Sequence, residues 1–140
     1  MLTLEELSDR FEIQELLSAY CHAIDGRDWN RLDLLFTDDA EIDYSATGGI
    51  SGSLSEIKTF LDSTLPLFSA SQHFVTNPDI RVDGETAHVR SLLFNPMTME
   101  REGTPHTLFI GAWYIDELVK VSGEWRIRQR SQQLAYFHNQ

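Results

Sequence analysis

The sequence has a single cysteine and few basic residues. Cys21 has no partner for an internal disulfide bond, and such cysteine usage is typical of a reducing compartment. Only 11 Lys and Arg residues stand against 22 Asp and Glu, which gives a formal net charge of −11. Because nucleic acids and anionic membranes both require basic patches on a protein, the sequence predicts neither as a partner.

Long apolar runs are also missing. None approaches the roughly 20 residues that are needed to cross a bilayer. At the N-terminus, no basic leader precedes an apolar stretch, as it would in a secretory signal. We therefore expect a cytoplasmic protein.

Motifs of the common catalytic classes are absent as well. The sequence contains no glycine-rich phosphate loop and no nucleophile elbow. Among its five histidines, no pair has the i,i+4 helical spacing of a zinc site, and no cysteine pair accompanies them. The sequence therefore predicts no bound metal and no cofactor.

What the first half does contain is a set of helix signals. Thr3 and Ser53 each begin a capping box, and Gly26 is typical of a helix end. We predict one long helix from Thr3 to about Gly26, a short helix after Asp28, and a third helix that begins at Ser53 and ends before Pro66.

The second half contains strand signals. Residues 40–45 alternate as an exposed-faced strand does. Asp83-Gly84 and Ser122-Gly123 separate β-rich runs, as tight hairpin turns do. Three helices followed by long antiparallel strands predict an α+β fold with the helices on one face of a sheet. We place these strands near 71–82, 85–98, 105–121 and 124–136.

Four residues form the candidate catalytic set: Tyr20, Asp25, Tyr44 and His73. Asp and His can move protons near neutral pH, and Tyr can hydrogen-bond a carbonyl or hydroxyl group meanwhile. We expect the Asp25 carboxylate to lie within hydrogen-bond reach of His73, with both side chains facing an apolar cavity. Asp25 would then orient the His73 imidazole and stabilise its charged form. Structural roles are the alternatives: a turn residue for Asp25, hydrogen-bonded core residues for His73 and Tyr20, and a rim aromatic for Tyr44.

Neighbouring positions predict the walls of a binding pocket. By the two-residue period of a strand, Val75 and Asn77 share a face with His73. This mixed apolar and polar face suits a ligand pocket. Phe109 and Trp113 alternate on a later strand, where they either line the pocket or form a subunit interface.

Several segments carry a resemblance to a known family. They are residues 24–32, Glu41-Ile42-Asp43-Tyr44, Gln72-His73-Phe74, Trp113-Tyr114 and Ser122-Gly123-Glu124-Trp125. Over roughly residues 3–135, the chain resembles the nuclear transport factor 2-like superfamily, especially its SnoaL-like branch. The resemblance implies a single domain over residues 1–140. In that domain, three N-terminal helices pack on a strongly curved, mixed but mainly antiparallel sheet that forms a cone with an internal apolar pocket.

Two enzyme families of this superfamily are similar at the candidate site. Scytalone dehydratase matches at Asp25, Tyr44 and His73, and bacterial bile acid 7α-dehydratase adds a match at Tyr20. Scytalone dehydratase has a second pocket histidine after a strand proline, where this chain has Met97, so the resemblance places Met97 in the pocket.

The bile acid enzyme uses an arginine in its last strand, at a position that corresponds roughly to Leu134. At that position the chain therefore departs from the pattern of that enzyme.

These observations predict a small cofactor-independent lyase or isomerase that transfers protons by a dehydratase-like mechanism. Its ligand would be a hydrophobic small molecule, an apolar cyclic compound such as a polyketide, steroid or terpenoid. The alternatives are a binding protein without turnover and the small structural β-subunit of a ring-hydroxylating dioxygenase, which has a similar fold. We also expect a homodimer, because the last strands carry large apolar residues on both faces.

Overall fold

The structure is a computed structural model that describes residues 1–139. The helices are α1 (Leu4–Asp25) and α2 (Leu54–Thr64), and short 3₁₀ segments occupy Trp29–Leu34, Ser45–Thr47 and Leu65–Leu67. The strands are β1 (Phe36–Asp43), β2 (Ser51–Ser53), β3 (Ala70–Ser71), β4 (Phe74–Asp83), β5 (Thr86–Arg101), β6 (Thr104–Val121) and β7 (Glu124–Asn139).

Both predicted capping boxes form. At the start of α1, Thr3 Oγ1 accepts from Glu6 N–H at 3.1 Å. At the start of α2, Ser53 Oγ accepts from Glu56 N–H at 3.2 Å. The expected middle helix is instead a six-residue 3₁₀ segment, Trp29–Leu34. The reason is its length: a segment this short, between the end of α1 and the start of β1, suits the tighter i→i+3 bonds.

The sheet is mixed and mainly antiparallel, which confirms the α+β class. Its order is β2-β1-β7-β6-β5-β3, and β4 also pairs with β5. Only the β1–β7 pair is parallel among the pairs of residues 1–139. The sheet stays open at both ends and is not strongly curled, which corrects the expected cone.

Two strands differ most from their expected bounds. The strand expected over residues 40–45 begins earlier, at Phe36, and ends at Asp43, so Tyr44 follows it. The strand expected over residues 71–82 is interrupted: β3 and β4 pair with different parts of β5, and Gln72 and His73 lie between them. This interruption lies at the edge of the sheet, and His73 lies in the gap between the two strands.

The core lies between α1 and the inward face of the sheet. The buried residues of α1 include Ile13, Leu16, Leu17, Tyr20 and Ile24, at helical spacing. They pack with inward side chains of the long strands in one contiguous cluster. No helix within residues 1–139 is long and apolar enough to cross a membrane.

Candidate active site

His73 and Asp25 form a hydrogen-bonded pair. Asp25 Oδ1 lies 2.7 Å from His73 Nδ1, and Asp25 Oδ2 accepts from the His73 backbone N–H at 3.0 Å. The carboxylate therefore fixes both the ring and the chain that carries it, and the expected hydrogen bond is confirmed. Because an ionised carboxylate only accepts, Nδ1 carries the proton, and the neutral ring keeps a free lone pair on Nε2.

The end of α1 positions Asp25. The helix stops directly after it, and the chain turns through Gly26 and Arg27 so that Asp28 N–H bonds to Ala23 O at 2.8 Å. A Cβ at Gly26 would lie 2.9 Å from the backbone oxygen of His22, so this close turn requires glycine. The local sequence thus places a carboxylate at the helix end.

A cavity of about 180 Å³ lies between α1, α2 and the inward face of the sheet. Its apolar wall includes Leu61, Leu65, Phe68, Leu93, Met97 and Ile110. Its polar wall includes Tyr20, Tyr44, His73, Asn95, Tyr114 and Gln132. Of the residues that the sequence singled out, Tyr20, Tyr44, His73 and Met97 line this cavity.

Asp25 does not line this cavity. The side chain is 30% exposed and borders a separate, open hollow that it shares with Arg27 and Gln72. The expectation that both members of the pair face the cavity is therefore wrong for Asp25. The helix remains regular to its last residue, so Tyr20 and Asp25 point about 140° apart. Asp25 acts on the cavity only through His73.

Three tyrosine hydroxyls meet at one side of the cavity. The Tyr20 oxygen lies 2.5 Å from that of Tyr44 and 3.3 Å from that of Tyr114. Burial raises the pKa of all three phenols above the ordinary value of 10.0. All three hydroxyls are therefore protonated at neutral pH and can donate hydrogen bonds.

A buried arginine lies behind these tyrosines. Arg130 is 1% exposed, and its Nε and Nη2 donate to the two oxygens of Asp116, each at 2.8 Å. Its guanidinium lies 3.8 Å from the ring centre of Tyr114 and 4.3 Å from that of Tyr20. Burial by itself would lower the pKa of Arg130, but the Asp116 carboxylate raises it well above the ordinary value. The cluster thus contains a permanent positive charge.

Arg130 was missed at the sequence level. The position compared with the arginine of the bile acid enzyme, Leu134, is 43% exposed and does not line the cavity. In a regular hairpin closed by the Ser122-Gly123 turn, Asp116 would pair with Gln129. A bulge between Ile127 and Gln129 shifts the register by one residue, so Arg130 lies opposite Asp116 instead. The sequence did contain one signal for this pair: Asp116 and Arg130 lie at nearly equal distances from the hairpin turn, on its two sides.

Two expected pocket residues on β4 do not line the cavity. Val75 faces inward but packs under α1 beside Cys21. Asn77 has a φ of 51° and lies where the pairing of β4 with β5 shifts by one residue. This bulge breaks the two-residue alternation, so Asn77 is exposed instead of sharing the face of His73.

Two expected pocket residues on β6 face outward. Phe109 stacks on Phe94, with ring centres 6.1 Å apart, and Trp113 lies under the Arg90 guanidinium at 4.9 Å. Successive residues of a strand point to opposite faces, and in β6 the even-numbered residues, such as Ile110 and Tyr114, point inward. Of the two roles considered for the pair, the structure excludes the cavity wall.

The sequence analysis also missed other cavity residues, among them Asn95, Tyr114 and Gln132. Each lies at an inward position of a long strand, which could have been inferred once the parity of that strand was known. Thr47 Oγ1 donates to Gln132 Oε1 at 2.7 Å and so ties the segment after β1 to β7. Within residues 1–139, no three His, Cys, Asp or Glu side chains gather as a metal site requires.

Comparison with known proteins places the chain in a family. The profile of the SnoaL-like domain matches residues 5–131. The uncharacterized protein Rv2910c of Mycobacterium tuberculosis is 45% identical over 130 residues, which are 93% of this chain and 88% of that protein. A gamma-hexachlorocyclohexane dehydrochlorinase of Sphingobium indicum is 27% identical over 139 residues, which are 98% and 87% of the two chains.

A solved structure shares the fold. A candidate scytalone dehydratase of Novosphingobium aromaticivorans superposes with a TM-score of 0.81 at 23% identity, over 94% of this chain and 87% of that one. The family profile and the mycobacterial relative both extend over most of the sequence. The chain therefore belongs to the SnoaL-like domain family.

Proposed function

We propose that this protein is a small cofactor-independent lyase or isomerase that transfers a proton on an apolar cyclic substrate. The observation that carries the proposal is the His73 ring. It is held by Asp25 at 2.7 Å on one nitrogen and borders a largely apolar cavity. A histidine placed in this way can act as a general base near neutral pH.

Asp25 and the tyrosines have separate roles in this reaction. His73 Nε2 takes a proton from a carbon next to a carbonyl group, and Asp25 stabilises the imidazolium that results. Negative charge then builds on the carbonyl oxygen, where Tyr20 or Tyr44 donates a hydrogen bond. In an isomerisation the proton returns to another carbon, and in an elimination it leaves with the departing group.

The hydroxyl cluster provides one proton for the substrate. Tyr20, Tyr44 and Tyr114 carry three hydroxyl protons, and the two oxygen–oxygen contacts among them use two. Within residues 1–139 the remaining proton has no acceptor at hydrogen-bond distance, so it can donate to a ligand in the cavity. The charge of Arg130 behind the rings favours a ligand atom that becomes negative.

The cavity volume narrows the substrate class. An apolar cavity of roughly 150 Å³ holds benzene, so about 180 Å³ accommodates one six-membered ring with few substituents. Of the cyclic compounds considered from the sequence, a single-ring terpenoid or polyketide fragment fits within this volume. The Sphingobium indicum relative, by its name, also acts on a single-ring compound by elimination.

The test uses cyclohexanone as a single-ring probe and follows exchange of its α-hydrogens in deuterated water by mass spectrometry. We expect His73→Asn to lower the enzyme-catalysed exchange rate about 10²–10⁴-fold, because the amide cannot accept and return a proton. Asp25→Asn should reduce the rate less than His73→Asn does, because Asp25 does not line the cavity and acts only through the His73 ring.

His88→Asn is the matched control, because His88 is an exposed histidine on the outer face and does not line the cavity. It should exchange the probe at the wild-type rate. Equal rates for the wild type and His73→Asn would remove His73 from the mechanism. A cavity that retains the probe without any exchange would instead identify a binding protein.

A further inference from the structure

The first half of α1 carries large apolar side chains on the side that faces away from the sheet. Leu4 is 87% exposed, Leu7 49% and Phe11 64%. Residues three and four positions apart are neighbours on a helix surface, so these side chains form one continuous stripe. From Leu4 to Phe11 the stripe extends about 10 Å, which is two helical turns. We call these three residues the outer stripe of α1.

The core of this fold does not use the outer stripe. The core-facing side of α1 is a separate set of residues at helical spacing, which includes Ile13, Leu17 and Tyr20. A helix that serves one core has an apolar side toward that core and a polar side toward the solvent. Single exposed apolar residues are ordinary, but an exposed apolar stripe is typical of an interaction surface.

Acidic residues follow one flank of the outer stripe. Glu5, Glu12 and Glu15 are all exposed, and they lie within about 100° of Leu4 around the helix axis. Their carboxylates therefore point into the solvent beside the apolar side chains. A partner that covers the stripe has to bring basic groups to this flank, because acidic groups would be repelled.

Two basic residues near this surface are already paired. The Arg10 guanidinium donates to a backbone oxygen of β4 at 2.8 Å, and Lys120 Nζ lies 2.7 Å from the buried Asp9 carboxylate. Asp9 raises the pKa of Lys120, and Glu5 and Glu12 contribute to the same shift. One lysine is therefore shared among three carboxylates, and the flank keeps a net negative charge.

We propose that the outer stripe binds an amphipathic helix of another protein, with apolar residues at helical spacing and lysine or arginine along one flank. Helices of this kind bind through anchors at positions i, i+3 and i+7, which is the spacing of Leu4, Leu7 and Phe11. A second copy of this chain fits less well. In an antiparallel two-fold pair of α1 helices, the acidic flank of one copy would oppose that of the other.

This contact is independent of the cavity and of the outer face of the sheet. The outer stripe does not line the cavity, and α1 packs on the inward face of the sheet. The inference therefore does not depend on the proposed function. Because two helical turns provide a small contact area, the complex should be weak and reversible, as small interfaces usually are.

The test uses a designed, fluorescein-labelled helical peptide with leucines at helical spacing and lysines at the other positions. Fluorescence anisotropy at physiological salt should show saturable binding to the wild type. A peptide in which glutamates replace the lysines should not bind. Phe11→Ser should raise the dissociation constant of the lysine peptide about tenfold, because burial of a large apolar side chain contributes at least this factor.

Leu67→Ser is the matched control, because Leu67 is 66% exposed but lies outside the outer stripe, on the third 3₁₀ segment. It should bind the lysine peptide as the wild type does. Equal affinities for the wild type and Phe11→Ser would show that the peptide binds elsewhere. That result, or a lysine peptide that does not bind at all, overturns the inference.

A second pair of variants tests the acidic flank. Glu15→Gln should weaken binding of the lysine peptide about two- to fivefold, as expected for the loss of one exposed ion pair, and should reduce its salt dependence. Glu100→Gln, at an exposed position of β5, should bind as the wild type does. If both variants weaken binding equally, the net charge of the protein attracts the peptide instead of the flank, and the inference fails.

Two further measurements test other occupants of the outer stripe. Vesicles of phosphatidylcholine should not bind the protein, and light scattering should give the same mass for the wild type and Phe11→Ser. Vesicles that bind the wild type but not Phe11→Ser would identify a membrane-binding surface. A lower mass for Phe11→Ser would assign the stripe to a second copy of this chain. Either result would overturn the inference.

Discussion

Arg130 is a permanent positive charge inside a protein whose formal net charge is −11. Its charge is balanced locally by Asp116, and its flat faces contact the rings of Tyr20 and Tyr114. Removing one partner of such a buried pair typically costs about 3–5 kcal/mol, because the other charge is left uncompensated. The pair therefore fixes the positions of the tyrosines as well as their electrostatic surroundings.

The buried tyrosines predict how the protein responds to high pH. Burial raises the pKa of Tyr20, Tyr44 and Tyr114 above the ordinary value of 10.0. The folded state therefore holds these protons more tightly than the unfolded state does. Their contribution to stability is complete below about pH 10 and is lost as the pH rises above it. We expect the free energy of unfolding to fall above pH 10.

Phenolate absorbance measures this directly in Tyr136→Phe, which removes the one exposed tyrosine of the four. In this variant, phenolate should appear only together with loss of the folded circular dichroism signal. Phenolate that forms at pH 10 in a chain that is still folded would show that the three hydroxyls are not enclosed.

At the scale of elements, local signals predicted most of the fold. The capping boxes at Thr3 and Ser53 and the glycine turns of the hairpins depend on a few neighbouring residues, and the structure contains them. The bulge at Asn77 and the one that aligns Arg130 depend on pairing between strands. A sequence pattern read with a strict two-residue period cannot locate them, because one inserted residue reverses the face of all that follow.

The site residues also divide into those with a local sequence signal and those whose position depends on strand pairing. Asp25 and His73 were found because each belongs to a short recognisable segment. Asn95 and Tyr114 were missed, because an inward position on a long strand is apparent only when the strand parity is known. For the same reason, the sequence did not decide whether Phe109 and Trp113 line the cavity or form an interface, and in the structure they lie on the opposite face.

One tertiary contact joins α1 to the hairpin of β6 and β7. Asp9 is buried, lies 2.7 Å from Lys120 Nζ, and accepts from the Trp125 indole N–H at 3.0 Å. Burial raises the pKa of Asp9, but the hydrogen bonds from Lys120 and Trp125 outweigh it, so the pKa lies below the ordinary value of 3.8. The ionised carboxylate therefore stabilises the folded state.

We predict that Asp9→Asn lowers the free energy of unfolding at pH 7 by about 1–3 kcal/mol, since the contact loses its charge. A lowered pKa means that this contribution is present above about pH 3.8 and disappears as the pH falls through the lower folded value. Urea unfolding at pH 7 and at pH 3 should show the difference from the wild type shrinking at the acidic pH. Asp38→Asn, at an exposed position, is the control and should change stability little at either pH.

A loss that is the same at both pH values would show that the charge of Asp9 is not what stabilises this contact.

Considered as a whole, the molecule sorts the large apolar residues of its last strands between two faces. Tyr114, Leu118 and Trp125 are buried inward in the core. Phe109 and Trp113 point outward, and Phe109 stacks on Phe94. The outer face of the sheet therefore displays aromatic surface, which includes Phe74 at 48%, Phe94 at 37% and Tyr136 at 52% exposure. A continuous apolar patch of this kind is typical of an interaction surface.

We predict that this outer face forms a homodimer. Two copies that cover each other's aromatic residues would remove apolar surface from water at roughly 25 cal/mol per Å². Light scattering at micromolar concentration should give the mass of two chains for the wild type. Phe94→Lys places a charge in the middle of the patch and should shift the protein to monomers.

Leu34→Lys is the control, because Leu34 is equally apolar and 64% exposed but lies on the first 3₁₀ segment, away from the outer face of the sheet. It should remain dimeric. A wild-type monomer would contradict the prediction, and a Phe94→Lys dimer would place the interface on another surface.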